Sequence, residues 1–85
     1  MIRYRVRERI ADLEFQRGKR VTLAELEAAT GVNKSTLSKL SRQRGYVTTT
    51  EVLDRLCRFF GCPLSDLAQY VPDEEVEQSH SNRPE

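Results

Sequence analysis

The sequence has few of the residues from which catalytic sites are usually built. It contains one histidine, two cysteines and no tryptophan. Because His80 lies in a polar C-terminal segment, no Ser-His or Cys-His pair is expected in the folded part. No glycine-rich loop is available to hold a phosphate group. The sequence therefore predicts a protein that is not an enzyme and that uses no cofactor.

The two cysteines do not have the spacing of a typical zinc site. Cys57 and Cys62 follow a C-x4-C pattern rather than the paired C-x2-C of many zinc sites. We interpret them as small packing residues in a reducing compartment and predict no metal site. A disulfide or a metal site is the alternative interpretation of this pair.

Long apolar runs are also missing. None approaches the ~20 residues that a bilayer-spanning helix needs, and the first residues lack the apolar stretch of a signal peptide. We therefore expect a cytoplasmic protein with no membrane partner. A chain of 85 residues allows one domain with one hydrophobic core.

The near-neutral net charge of +1 conceals a strong asymmetry. Residues 1–50 hold eleven basic and five acidic side chains, a net charge of +6, whereas residues 51–85 hold three basic and eight acidic ones, a net charge of −5. A basic half suits a polyanionic partner, and an acidic end limits non-specific attraction to it. Ordinary solvated surfaces could carry the same net charges, so the charge distribution alone does not show that the partner is a polyanion.

Apolar spacing predicts a first helix over about residues 2–15. Apolar residues from Ile2 to Leu13 recur at steps of three and four, which is typical of a helix. Ile2, Tyr4 and Val6 also alternate with arginines, so an extended start is the alternative; we favour a helix with a frayed or arm-like beginning. Gly18 is suited to cap the helix at its C-terminal end.

Two predicted short helices follow, separated by a tight turn. Thr22 and Glu25 form the capping box of a helix that reaches about residue 30. Gly31 then allows a sharp turn, because glycine adopts a left-handed backbone without steric cost. Asn33 is the expected N-cap of the next helix, which we predict to end at about Arg44. Such a pair is a helix-turn-helix unit, whose second helix enters the DNA major groove.

The last two predicted helices complete the fold. Thr48 and Glu51 are the expected capping box of the fourth helix, which closes at Gly61. Pro63 suits the first turn of a fifth helix that extends to about Val71. We expect residues 1–72 to form one DNA-binding domain, with its helix-turn-helix at about residues 22–44. Residues 73–85 are predicted to be a disordered acidic tail.

One face of the third predicted helix indicates a function. At ~100° per residue, five polar side chains fall within an arc of about 140°. They are Lys34, Ser35, Ser38, Lys39 and Arg42. The face contains no acid, and its short hydroxyls permit close approach to base edges while its cations can reach guanine or phosphate. A solvated helix face that happens to be basic is the alternative interpretation.

The chain resembles the Cro/C1-type (XRE-like) helix-turn-helix regulators over about residues 2–73. The resemblance is carried by Leu26, Ala29-Thr30-Gly31-Val32-Asn33-Lys34-Ser35-Thr36-Leu37-Ser38, Leu53-Asp54-Arg55-Leu56-Cys57, Phe60-Gly61-Cys62, Asp66-Leu67 and Tyr70-Val71-Pro72-Asp73. The last of these segments are similar to a short stand-alone subgroup of the family. The resemblance implies an all-α, five-helix, Cro/C1 repressor-like DNA-binding domain and, as in many members, operator binding as a dimer.

The resemblance also implies DNA-contacting positions. Bases would be read by Asn33, Lys34, Ser35, Ser38 and Lys39. The DNA backbone would be contacted by Lys19, Arg20, Thr22, Thr36, Arg42, Arg44 and Tyr46. Two residues depart from the family pattern: Glu27 replaces a small packing residue, so it either loosens the helix contact or turns outward, and Leu23 replaces a glutamine that contacts phosphate.

The expected partners are double-stranded DNA and a second copy bound through the C-terminal helices, with no small-molecule ligand. The alternative function is a small protein-interaction module that docks a partner helix on Phe59, Phe60, Leu64 and Tyr70. RNA binding is a weaker possibility, because no sheet with exposed aromatic residues is predicted.

Overall fold

A computed structural model describes residues 1–72 and has a mostly helical fold with a small sheet. Its elements are β1 (Ile2–Tyr4), α1 (Val6–Arg17), α2 (Leu23–Thr30), α3 (Lys34–Arg42), α4 (Thr50–Phe60), α5 (Leu64–Leu67) and β2 (Ala68–Tyr70). The five helices confirm the predicted fold class. The predicted disordered acidic tail, residues 73–85, lies outside the described residues.

Each helix contributes one fully buried aliphatic side chain to a single core. They are Val6, Leu26, Leu37, Leu56 and Leu67, in the order α1 to α5. Val21, Val32 and Leu40 complete the buried set. Burying a side chain of this size contributes about 1.5–3 kcal/mol, so the core holds α2 and α3 against the other three helices.

The first residues form a strand, so the predicted helix begins at Val6 rather than at Ile2, and the extended alternative for its start is the correct one. β1 pairs with β2 in an antiparallel ladder in which Ile2 lies opposite Tyr70. The ladder continues at both ends. The Met1 amine donates to the Val71 carbonyl at 2.9 Å, and Arg5 N–H donates to the Leu67 carbonyl at 2.7 Å. These long-range bonds hold the segment before Val6 in an extended conformation.

The same pairing shortens the last helix, which was predicted to reach Val71. α5 is a single turn from Leu64 to Leu67, and the backbone becomes extended at Ala68, where it joins β1. Pro63 is the N-cap of this turn rather than a residue inside it.

α4 begins one residue later than its predicted capping box implies. Thr49, not Thr48, is the N-cap, and its hydroxyl accepts from Val52 N–H at 3.2 Å. Thr48 alone has a glutamate three residues on, so the capping-box pattern did not identify the N-cap that the structure has. No helix among the described residues is long and apolar enough to cross a membrane.

Candidate nucleic-acid interface

The turn between α2 and α3 has the geometry predicted for a helix-turn-helix. The predicted capping box is present, with Glu25 N–H donating to the Thr22 hydroxyl at 3.1 Å. Gly31 has φ = +78° and ends α2 in the left-handed conformation. The buried Thr30 hydroxyl donates to the Leu26 carbonyl at 2.6 Å and accepts from Val32 N–H at 3.1 Å. The turn is therefore fixed by internal hydrogen bonds.

Two side chains satisfy the first N–H groups of α3. Asn33 Oδ1 accepts from Ser35 N–H at 2.7 Å, as predicted for the N-cap. Glu27 Oε2 accepts from Lys34 N–H at 3.3 Å. The half-buried Glu27 thus bridges from α2 to α3, an arrangement in which its charge also interacts favourably with the helix N-terminus. Sequence reasoning treated Glu27 as a departure from the family pattern and did not find this capping role.

α3 is divided sharply between a buried face and a polar face. Leu37 and Leu40 are buried in the core. The basic face, which consists of Lys34, Ser35, Ser38, Lys39 and Arg42, is solvent-exposed except for the half-buried Ser38. No residue of α3 is acidic. Four of the five side chains predicted to read bases therefore lie on one helix, and the fifth, Asn33, is its N-cap.

The third helix ends at Arg42 rather than at the predicted Arg44. Gln43 takes an extended backbone, and Arg44 precedes Gly45 in the turn that follows. This turn brings Tyr46 back toward α3, where Lys39 Nζ lies 5.9 Å from the centre of its ring. One residue predicted to read bases and one predicted to contact the backbone are thus neighbours.

The remaining residues predicted to contact the DNA backbone occupy two further positions. Lys19, Arg20 and Thr22 are exposed immediately before α2. The Thr22 hydroxyl is engaged in the capping box, and Thr36 is half-buried on α3. Lys19 and Arg20 are cations that can contact phosphate. The Thr22 hydroxyl, in contrast, also caps α2.

Arg55 supports the turn from α4, a role that the sequence pattern did not indicate. Its Nη1 donates to the Thr30 carbonyl at 3.2 Å, at the C-terminal end of α2. Its Nε and Nη2 donate to Glu51 Oε2 at 3.2 and 2.8 Å. Since positions 30 and 55 are far apart in sequence, no local signal could have revealed this contact.

A cleft of about 770 Å³ lies beside the end of α3. We call it the basic cleft, because its charged lining residues are Arg3, Arg7, Glu8, Arg42 and Arg44. β1 and α1 form one wall, the end of α3 and its following turn form the other, and Val71 also borders it. The sequence predicted no pocket here, because its walls come from segments far apart in the chain.

Cys57 and Cys62 are half-buried and not joined by a disulfide. Burial raises the pKa of the Cys57 thiol, and the neighbouring Cys62 adds to this effect. Within residues 1–72, no three histidine, cysteine or acidic side chains are grouped as a metal site would require.

Comparison with known protein families confirms the predicted resemblance. The comparisons with curated proteins and with solved structures found no match. Residues 15–73 match the Cro/C1-type HTH DNA-binding domain, a segment that includes α2, α3, α4 and α5. Because this match covers more than half of the chain, the protein belongs to the Cro/C1-type helix-turn-helix DNA-binding domain family.

Proposed function

We propose that the protein is a transcriptional regulator that recognises a duplex DNA sequence by inserting α3 into the major groove. The observation that carries this proposal is the basic face of α3, which combines three cations with two hydroxyls and has no acid. An acidic side chain there would be repelled by the phosphates on both sides of the groove. Membership of a DNA-binding family supports the same function.

Base recognition is assigned to Asn33 and the first six residues of α3. Lys34 and Lys39 can donate to guanine O6 and N7, and Ser35 and Ser38 are short enough to reach either type of base edge. The amide oxygen of Asn33 caps the helix, which leaves its NH2 group to donate to a base or a phosphate.

Backbone contacts are assigned to cations on both sides of this helix. Arg42 and Arg44 lie at its C-terminal end, and Lys19 and Arg20 precede α2. Thr22, Thr36 and Tyr46 are further candidates. These contacts would fix the register of the protein on the duplex without reading its sequence.

We further propose that two copies bind one operator. A single module of this size rarely achieves specificity with one half-site. Leu64 on α5 is 54% exposed and Tyr70 on β2 is 67% exposed, which supports contact between copies through the C-terminal elements. As a DNA-binding regulator the protein would act in the cytoplasm, with no cofactor.

A protein-interaction module is the second candidate, because the same exposed Leu64 and Tyr70 could receive a partner helix. A protein-interaction function does not explain why the basic face of α3 has no acidic residue, so we rank it second.

The test is selection of bound duplexes from a random library, followed by titration of the enriched sequence at several salt concentrations. We expect a roughly palindromic site whose affinity falls steeply as salt rises. Sedimentation with and without this duplex then determines the number of copies. No enrichment, together with no binding at low salt, would favour the interaction module.

A further inference from the structure

We infer that the acidic segment at residues 73–77 of this chain binds in the basic cleft and competes there with DNA. The segment reads Asp73-Glu74-Glu75-Val76-Glu77. This inference rests on the proposed function for its consequence, which is weaker DNA binding, but the docking itself is tested without DNA.

The charge of the basic cleft calls for an anionic occupant. Among the described residues, four of those that line the cleft are arginines and one, Glu8, is acidic. Glu8 is already paired with Arg3 at 3.4 Å and with Arg5 at 4.0 Å. Within residues 1–72, Arg7 and Arg42 have no ion-pair partner. In the described lining the arginines therefore outnumber the one carboxylate.

The described part of the chain ends beside this cleft. Val71 borders it, and Val71 N–H donates to the Met1 carbonyl at 2.8 Å, which holds residue 71 next to β1. Asp73 follows two residues later. At ~3.5 Å per extended residue, Glu77 is within about 21 Å of Val71, so every acid of the segment can reach the cleft.

The acidic segment is complementary to the cleft in the sign of its charge. It carries four carboxylates in five residues and no base, whereas the described lining carries four arginines and one carboxylate. Arginine is well suited to this task, because its planar guanidinium can form paired hydrogen bonds with a carboxylate. Since the segment is tethered at the rim, its effective concentration at the cleft is on the order of millimolar.

Docking would oppose DNA binding because the two anions share side chains. Arg42 lines the cleft and also belongs to the basic face of α3, and Arg44 lines the cleft next to it. Both are assigned to the DNA backbone. A carboxylate held by these arginines mimics a phosphate, so DNA must displace the segment to gain its contacts.

The first experiment locates the segment in the full chain without DNA. Arg7→Lys introduces an amine into the cleft, and Arg17→Lys is the matched control about 15 Å along the same helix and outside the lining. A carbodiimide then couples amines directly to nearby carboxylates without adding a linker, and mass spectrometry identifies the cross-linked residues. We expect cross-links from position 7 to residues 73–77 to exceed those from position 17 at least fivefold.

Equal cross-linking from both positions, or none from position 7, would overturn the docking. A mixture of isotopically light and heavy chains distinguishes the source of the acid. Cross-links within one chain support the inference, whereas mixed cross-links would show that a second copy supplies the segment and would contradict it.

The second experiment measures affinity for the selected duplex with the full-length variant D73N/E74Q/E75Q/E77Q. We expect roughly three- to tenfold tighter binding at low salt, with the gain shrinking as salt screens the charges. Arg7→Gln supplies a double-mutant cycle. If the acids act through the cleft, their neutralisation has a smaller effect in the Arg7→Gln background.

An equal gain in both backgrounds would indicate general repulsion and overturn the competition, and so would no gain at all. If no variant binds any duplex, the proposed function fails. The cross-linking result then still decides whether the segment docks in the cleft.

Discussion

The guanidinium of Arg55 lies directly over Gly31. A β-carbon at position 31 would be 2.6 Å from Arg55 Nη1, the same nitrogen that donates to the Thr30 carbonyl. Gly31 thus serves two purposes: it adopts the left-handed backbone of the turn, with φ = +78°, and it leaves room for the arginine that caps α2.

Gly31→Ala should therefore destabilise the protein more than Gly61→Ala. Both glycines have positive φ, 78° and 65°, but no atom lies within 4 Å of the β-carbon position at Gly61. The backbone cost is about 1 kcal/mol or more at either site. The Gly31→Ala variant should lose about 1 kcal/mol more of its free energy of unfolding, because the added methyl group displaces Arg55 from its hydrogen bond to the Thr30 carbonyl. Urea unfolding measures the difference, and equal losses would show that Arg55 has no such role.

Lys39→Ala should weaken DNA binding while leaving the fold intact. A good base contact contributes about 1–3 kcal/mol of discrimination, so we expect the affinity for the selected duplex to fall at least about tenfold. The folded state loses at most about 0.5–1 kcal/mol through the contact with Tyr46. Thermal unfolding and duplex titration separate the two effects.

Arg58→Ala is the control for this variant, because it removes the same charge from an exposed site on α4 outside the proposed interface. Its affinity should stay within about twofold of the unchanged protein. Similar losses from both substitutions would mean that net charge, not the basic face, governs binding.

Glu27→Ala should reduce the free energy of unfolding by about 0.5–1 kcal/mol, because it removes the acceptor for Lys34 N–H at the start of α3. Glu27→Gln retains an acceptor oxygen and loses only the charge, so it should cost less. Chemical denaturation measures the free energy of unfolding of both variants. A larger decrease for Glu27→Gln than for Glu27→Ala would be inconsistent with capping.

The Cys57 thiol should be alkylated more slowly than a thiol in the unfolded chain. Burial and Cys62 raise its pKa, so at pH 8 a smaller fraction is thiolate, which is the reactive form. The rate should climb with pH through a midpoint above that of the urea-unfolded protein. Iodoacetamide labelling followed by mass spectrometry gives the rate for each cysteine. A midpoint at or below the unfolded value would contradict the assigned environment.

The helices that carry the proposed function could be predicted from sequence because their signals are local. The Thr22–Glu25 box, Gly31 and the Asn33 cap are each decided by neighbours within a few residues. The apolar spacing of Leu37 and Leu40 likewise identified which face of α3 is buried. The basic face follows as its opposite.

The small sheet, the Arg55 contact and the basic cleft could not be predicted in this way. The alternation of Ile2 and Tyr4 is compatible with either a helix or a strand, and only pairing with residues 68–70 decides for the strand. Arg55 reaches across from another helix, and the cleft joins Arg7 to Arg42. Such features depend on how distant segments meet, which no local pattern encodes.

The measurement that tests the central claim most directly is titration of the isotopically labelled full chain with the selected duplex, followed through its backbone amide signals by NMR. The account predicts that the largest changes fall on Asn33 to Lys39, with smaller ones at Arg20, Arg44 and Tyr46. Changes centred on α5 and β2, with α3 unaffected, would contradict the assignment of α3 as the helix that reads DNA.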